Sequence, residues 1–149
     1  MSEIPITPAE RRTQSRDLIS KLLAERKEMF ALYCEVAGLE PFPCKTSTKE
    51  KLQEFCQILM DYVAFGHFEV FYRISNGTER RTQTIEVAKE VYPRYVDATD
   101  VIVAFNDKYD NSDHELVMDS ISTDLSTLGE ELAIQVDLED HLLATMLSR

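Results

Sequence analysis

The sequence predicts an all-α protein, an antiparallel four-helix-bundle-like domain with two short accessory helices. Three observations predict it. Apolar residues recur at spacings of three and four through four long stretches, the pattern of helices that each bury one face. Three segments carry Ser or Thr followed three residues later by Glu, the reciprocal hydrogen-bonding pair that opens helices: Thr7 with Glu10, Ser47 with Glu50, and Ser112 with Glu115. Glycine and proline are scarce, at 4 and 5 among 149 residues, and runs of Val, Ile and Thr that would suggest strands are few. A chain of this length suits one domain, so residues 1–149 are expected to form a single helical unit behind an extended lead over residues 1–7.

The first helix starts at Pro8, with Thr7 as its cap and proline in the first turn, and is expected to run to about Val36. Leu18, Ile19, Leu22, Leu23, Met29, Phe30, Leu32, Tyr33 and Val36 form its apolar face, and Gly38 suits the position just past its end. Arg26 interrupts that face. It must either reach out to water along its aliphatic stem or find a buried carboxylate.

Residues 38–47 read as a loop held extended by Pro41 and Pro43. The second helix follows, with Leu52, Phe55, Cys56, Leu59, Tyr62 and Val63 on one face. A narrower stripe of Ile58, Asp61, Phe65 and Phe68 lies to one side. Gly66 is expected to end this helix or bend it, with a short helix over about 67–75 and a turn at Asn76-Gly77. The segment DYVAFGHFEVF (61–71) therefore carries more aromatic surface than one helix end needs for its own packing. Its phenylalanines are either core or an uncovered docking surface.

The next long helix is expected from about Arg80 to Tyr109, with a kink or short break near Val91–Tyr92 because Pro93 removes a backbone donor. A polar break at 110–112 leads to a short helix ending near Asp119. The last helix should run from about Thr123 to Leu147 over Leu125, Leu128, Leu132, Val136, Leu142, Leu143 and Met146. Gln135 and Glu139 fall on that same inward face. With Arg26 inward on the first helix, they predict a buried or half-buried polar cluster.

Composition and spacing exclude several classes of function. Net charge is −11, and residues 94–149 carry 13 acidic against 3 basic side chains. That half repels phosphate backbones and anionic membranes and favours a basic partner, so direct nucleic-acid binding and membrane association are not expected. No carboxylate stands three residues before His67, His114 or His141, so the di-metal pattern of helical bundles is missing, and no metal or other cofactor is expected. The isolated glycines form no phosphate cradle and no Gly-x-Ser-x-Gly elbow occurs, which leaves an enzyme without a motif. Cys34, Cys44 and Cys56 match no zinc spacing and read as reduced thiols. With no leader-like start and no apolar run of about 18 residues, a cytoplasmic location is expected.

Three stretches carry a family resemblance: LISKLLAERKEMF (18–30), LQEFCQILMDYVAFGHF (52–68) and LSTLGEELAIQVDLEDHLL (125–143). In order and spacing they resemble the Rsd/AlgQ family of bacterial anti-sigma factors, most specifically through F-C-Q…D-Y…G-H-F. Leu22 stands where the family has tryptophan and Gln135 where it has a basic residue. Residues 38–47 and 76–84 match poorly. The resemblance implies an all-α, non-enzymatic protein. Its implied partner is the C-terminal helix-turn-helix domain of the housekeeping sigma subunit of RNA polymerase, which it would keep from −35 promoter DNA and from core polymerase. Asp61, His67 and Phe68 match the family motif and are the contact residues it suggests, with Ile58 and Phe65 beside them on the second stripe. Arg26, Tyr62, Glu139 and Asp140 match as well. Two other readings stay open: a helical adaptor for another regulatory protein, and a small-ligand sensor that holds an anion near Arg26, Gln135 and Glu139.

Overall fold

The computed structural model describes residues 7–38, 48–75, 81–110 and 120–147. Every element among them is helical: α1 (Pro8–Val36), α2 (Thr48–Phe65), a π-helical turn (Gly66–Phe71), α3 (Tyr72–Ser75), α4 (Thr82–Tyr109) and α5 (Ile121–Leu147). The four long helices are those expected from the apolar periodicity. The expected caps at Ser47 and Ser112, the Asn76-Gly77 turn and the short helix ending near Asp119 lie outside the described residues.

Local sequence sets the ends of α1. The Thr7 hydroxyl accepts from the Glu10 amide at 3.1 Å, and the Glu10 carboxylate accepts from the Thr7 amide at 3.3 Å. Two amide donors that a helix start would leave unpaired are thus satisfied. At the other end Gly38, at φ 74°, donates its amide to the Glu35 carbonyl and closes the helix.

α1 packs chiefly on α2 and α4 chiefly on α5, with α2 meeting α4 between the two pairs. Side-chain pairs give the directions. Tyr33 meets Phe55 while Arg26 meets Tyr62, so α1 and α2 run antiparallel. Lys108 meets Asp124 and Tyr95 meets Glu139, so α4 and α5 do too. Leu22, Met29, Leu52, Phe55, Leu59, Ile102, Leu128, Leu132 and Leu142 form the dry centre. An aromatic run of Tyr33, Phe55, Phe105 and Tyr109 crosses it, with ring centroids 6.0, 6.1 and 4.7 Å apart.

Three expectations about packing are corrected. Phe65, assigned to the outer stripe, is buried, with the Lys21 ammonium 4.9 Å above its ring. It sits at the edge of the α2 stripe, where α1 covers it. Leu23, assigned to the apolar face of the first helix, is exposed, as is Tyr92 on α4. And of the kink or break expected at Pro93, the break does not form: α4 is continuous from Thr82 to Tyr109. Proline removes the donor for the Lys89 carbonyl, but both residues are on the exposed side, where solvent can take the place of that donor.

Gly129 on α5 is a close-approach position. The Tyr33 hydroxyl lies against it and donates to the Leu125 carbonyl at 2.7 Å. A Cβ at 129 would overlap that hydroxyl and stand 3.1 Å from its ring carbon. Alanine favours a helix over glycine by about 1 kcal/mol. Even so, Gly129→Ala is expected to lower stability by about 1–2 kcal/mol in urea unfolding, because Tyr33 must leave its hydrogen bond. Adding Tyr33→Phe should return most of the loss. A single variant more stable than wild type would contradict the contact.

Candidate functional site

α2 positions two kinds of side chain on opposite sides. Tyr62 points inward and is fully buried, whereas Asp61 is exposed. Tyr62 enters a polar cluster assembled from all four long helices. Its hydroxyl donates to Glu139 Oε1 in a short bond. Tyr95 donates to Glu139 Oε2 at 2.7 Å. Arg26 donates through Nη2 to Glu139 Oε1 at 3.0 Å, through Nη1 to Asp140 at 2.8 Å, and through Nε to the Tyr62 hydroxyl at 3.4 Å. Glu139 is 2% exposed and has three donors, the arrangement a buried carboxylate requires.

The electrostatics follow from this burial. Desolvation pushes Glu139 above the ordinary carboxylate value, and the bonds from Tyr62, Tyr95 and Arg26 pull it back. Burial raises the Tyr62 and Tyr95 hydroxyls, and the neighbouring Glu139 raises them further, so both stay protonated donors. Burial works against the charge on Arg26, but its contacts with Tyr62, Asp140 and Glu139 outweigh it and strengthen its hold on the proton.

Gln135 is buried but joins a second chain of contacts. Its Oε1 lies 3.3 Å from the Thr99 hydroxyl, which also reaches the Tyr95 carbonyl at 2.9 Å, and its Nε2 has no partner. Thr99 has one hydroxyl proton and these two acceptors, so His67 Nε2, 2.8 Å away, acts as the donor to it. The His67 ring is half-buried, 4.9 Å from the Tyr95 ring. Burial lowers its pKa, with Asp100 acting in the opposite sense.

The outer side carries the other expected residues. Phe68 is 69% exposed, the most exposed large apolar side chain among the described residues. Tyr72 and Tyr92 are also exposed nearby in the chain and across on α4. Ile58 is half-buried against the core. Asp61 faces the Glu25 carboxylate of α1, whose pKa is raised by burial, lowered by Lys21, and raised again by Asp61 and Glu28. Glu25 Oε2 has no partner. The structure thus separates the expected residues into two sets: Arg26, Tyr62, Gln135 and Glu139 inside, with Asp140 at the exposed rim of that cluster, and Asp61 and Phe68 outside, with His67 between them. Phe65 belongs to neither.

Tyr95 and Glu25 were not singled out by the sequence. Tyr95 sits on the apolar stripe of α4, and its alignment with Glu139 on the inward face of α5 was the available signal. Glu25 adjoins Arg26 and gave none. Among the described residues, no three His, Cys, Asp or Glu side chains are grouped to hold a metal ion, and no helix is long and apolar enough to cross a membrane.

No solved structure matches the chain. Relatives do match. A protein of Yersinia enterocolitica called regulator of sigma D is 36% identical over 136 residues, covering 87% of this chain and 80% of its own. Its namesake in Yersinia pseudotuberculosis is 32% identical over 136 residues, covering 87% and 79%. The one in Salmonella arizonae is 33% identical over 138 residues, covering 87% and 81%. The family model described as regulator of RNA polymerase sigma(70) subunit, Rsd/AlgQ, matches residues 6–147, through both the inner cluster and the outer face, and this chain belongs to that family.

Proposed function

We propose that this protein is an anti-sigma factor. It binds the C-terminal helix-turn-helix domain of the housekeeping sigma subunit through the face that carries Asp61 and Phe68. The bound domain is then unavailable to −35 promoter DNA and to core RNA polymerase. The observation that carries the reading is Phe68, a large aromatic ring 69% exposed on the stretch most specific to the family. Leaving such a ring in water forgoes burial worth roughly 1.5–3 kcal/mol, which a partner surface would supply. A domain that reads DNA presents basic side chains to phosphates, and an acidic face competes for them. Asp61, with Glu25 and Glu28 close by, gives this face its sign.

In this reading Phe68 is the anchor, Asp61 pairs with a basic residue of the domain, Ile58 contributes its exposed edge, and His67 holds the backbone beneath the anchor. Phe65 drops out of the surface. The inner cluster is structural: Arg26, Tyr62 and Tyr95 already occupy Glu139, so an anion sensor has no cation left there to use. The activity is binding, with no reaction step and no cofactor.

Titration of the purified protein with the isolated C-terminal domain tests the reading. Saturable binding that weakens as salt rises is expected, and no binding at low salt would refute it. Asp61→Ala should weaken binding by about 1 kcal/mol or less, the range of an exposed ion pair, and should flatten the dependence of affinity on salt. An unchanged salt slope would show that no charge contact forms at this position.

A further inference from the structure

We infer that Gly66, Tyr95 and Glu139 act as positioning residues. The absence of a side chain at Gly66 lets its backbone close on Tyr95, whose hydroxyl Glu139 keeps from swinging aside; that close approach permits the π-helical register, and the register sets the direction of Phe68 relative to Asp61. This inference rests on the proposed sigma-binding reading for its functional meaning, but not for its geometry.

The register is visible in what is buried. Following the α2 stripe from Leu59 through Val63 and Gly66, an unbroken α-helix would next bring Val70 and Arg73 inward and leave Phe71 on the flank. The observed inward residues are Gly66, Val70, Phe71 and Ile74, while Phe68, Glu69 and Tyr72 are exposed. The backbone states the same thing: the Tyr72 amide donates to the His67 carbonyl, a five-residue step in place of the four-residue step of an α-helix. One extra residue has entered the turn. It rotates the chain beyond by about 100°, one residue of α-helical twist.

The turn is fixed to α4 at three points. The Phe71 ring lies 4.4 Å from the Tyr95 ring, and the His67 ring 4.9 Å from it. His67 is tied to Thr99 at 2.8 Å. At Gly66 there is no space for a side chain: a Cβ would overlap the Tyr95 hydroxyl and stand 3.2 Å from Glu139 Oε2. Tyr95 cannot swing aside, because it is fully buried and its hydroxyl is committed to Glu139 at 2.7 Å. With a Cβ at 66 the turn must back away from Tyr95. That frees Phe71 from its seat, and the four-residue register becomes the alternative. Phe68 lies inside the turn, so its aim relative to Asp61 changes with the register.

The chain has no tryptophan, so Phe68→Trp provides a single reporter of exposure at the turn. Acrylamide quenching of this reporter and affinity for the isolated sigma C-terminal domain, the latter read without the reporter, are measured in three backgrounds: wild type, Gly66→Ala, and Gly66→Ala with Tyr95→Phe. Gly66→Ala is expected to change quenching by about twofold and weaken binding by about tenfold, and the pair to restore both, because the second substitution removes the hydroxyl that the Cβ meets. Folded Gly66→Ala with unaltered quenching overturns the inference, and so does a Gly66→Ala protein more stable than wild type, the outcome helix propensity alone would give. If Gly66→Ala does not fold, the pair decides: a folded pair with wild-type quenching supports the contact, and anything else overturns it. Failure of the wild-type protein to bind sigma refutes the functional reading, while the tryptophan still decides whether this contact sets the register.

Discussion

Arg26→Met is expected to cost about 3 kcal/mol of folding stability at neutral pH, and the loss should shrink on acidification. Methionine keeps most of the stem that packs between α1 and α5, so the variant chiefly removes charge. It leaves the Glu139 carboxylate, 2% exposed, with only the Tyr62 and Tyr95 hydroxyls as donors. A buried charge stripped of its counter-ion is the costly case, and the low end of the usual 3–5 kcal/mol applies because Arg26 keeps a small opening to water at 12% side-chain exposure. Glu139 has its folded-state pKa held above the ordinary carboxylate value by burial, against the pull of Tyr62, Tyr95 and Arg26. A raised folded value means that the folded state takes up the proton first as pH falls. Stability from this group is therefore present at low pH and lost as pH rises through the folded value. Removing Arg26 takes away one downward pull and raises that value further. Urea unfolding at about pH 7.5 and about pH 5 should then show a smaller difference from wild type at the lower pH. Adding Glu139→Gln should recover part of the loss, since the uncompensated charge is gone. A loss that is the same at both pH values and unaffected by Glu139→Gln would mean that Arg26 matters only for packing.

How much of this was legible in the sequence depends on the range of the interaction. The Thr7–Glu10 cap could be read because both partners lie within one turn. The inward position of Gln135 and Glu139 could be read because a helix carries its phase unchanged along α5. That Arg26 meets Glu139 needed only that both lie on core faces. Tyr95 was hidden because a tyrosine on a core stripe counts as apolar surface, and its hydroxyl matters only once Glu139 stands opposite. Phe65 was misplaced because counting on one helix cannot tell which edge of a stripe a neighbouring helix covers; Lys21 on α1 covers it. The π-helical turn was beyond reach for a related reason: periodicity assumes 3.6 residues per turn throughout, and Gly66 marked a departure without its size. The contact that allows the extra residue is made by Tyr95, far away in sequence. Pro93 shows the opposite failure, a strong local signal for a break that solvent exposure makes harmless.

Phe68→Ala is expected to leave folding almost untouched, within about 0.5 kcal/mol, while weakening binding to the sigma C-terminal domain by about 2 kcal/mol or more, roughly thirtyfold. The two halves of this prediction come from one number, the 69% exposure of the ring. A side chain that buries little in the free protein has little to lose there, and what it contributes on binding is newly buried area against the partner. Phe71 gives the contrast. It stands three residues on, is 6% exposed and lies 4.4 Å from the Tyr95 ring, so Phe71→Ala should cost about 3–5 kcal/mol of stability. Phe65, buried under Lys21, should behave like Phe71. Calorimetric titration and urea unfolding of the three variants separate anchor from core without a structure of the complex. If Phe68→Ala instead lowers stability by the amount expected for Phe71 and binds normally when folded, the aromatic surplus of DYVAFGHFEVF belongs wholly to the interior. The partner surface must then lie elsewhere, on a face whose charge rather than whose aromatics does the recognising.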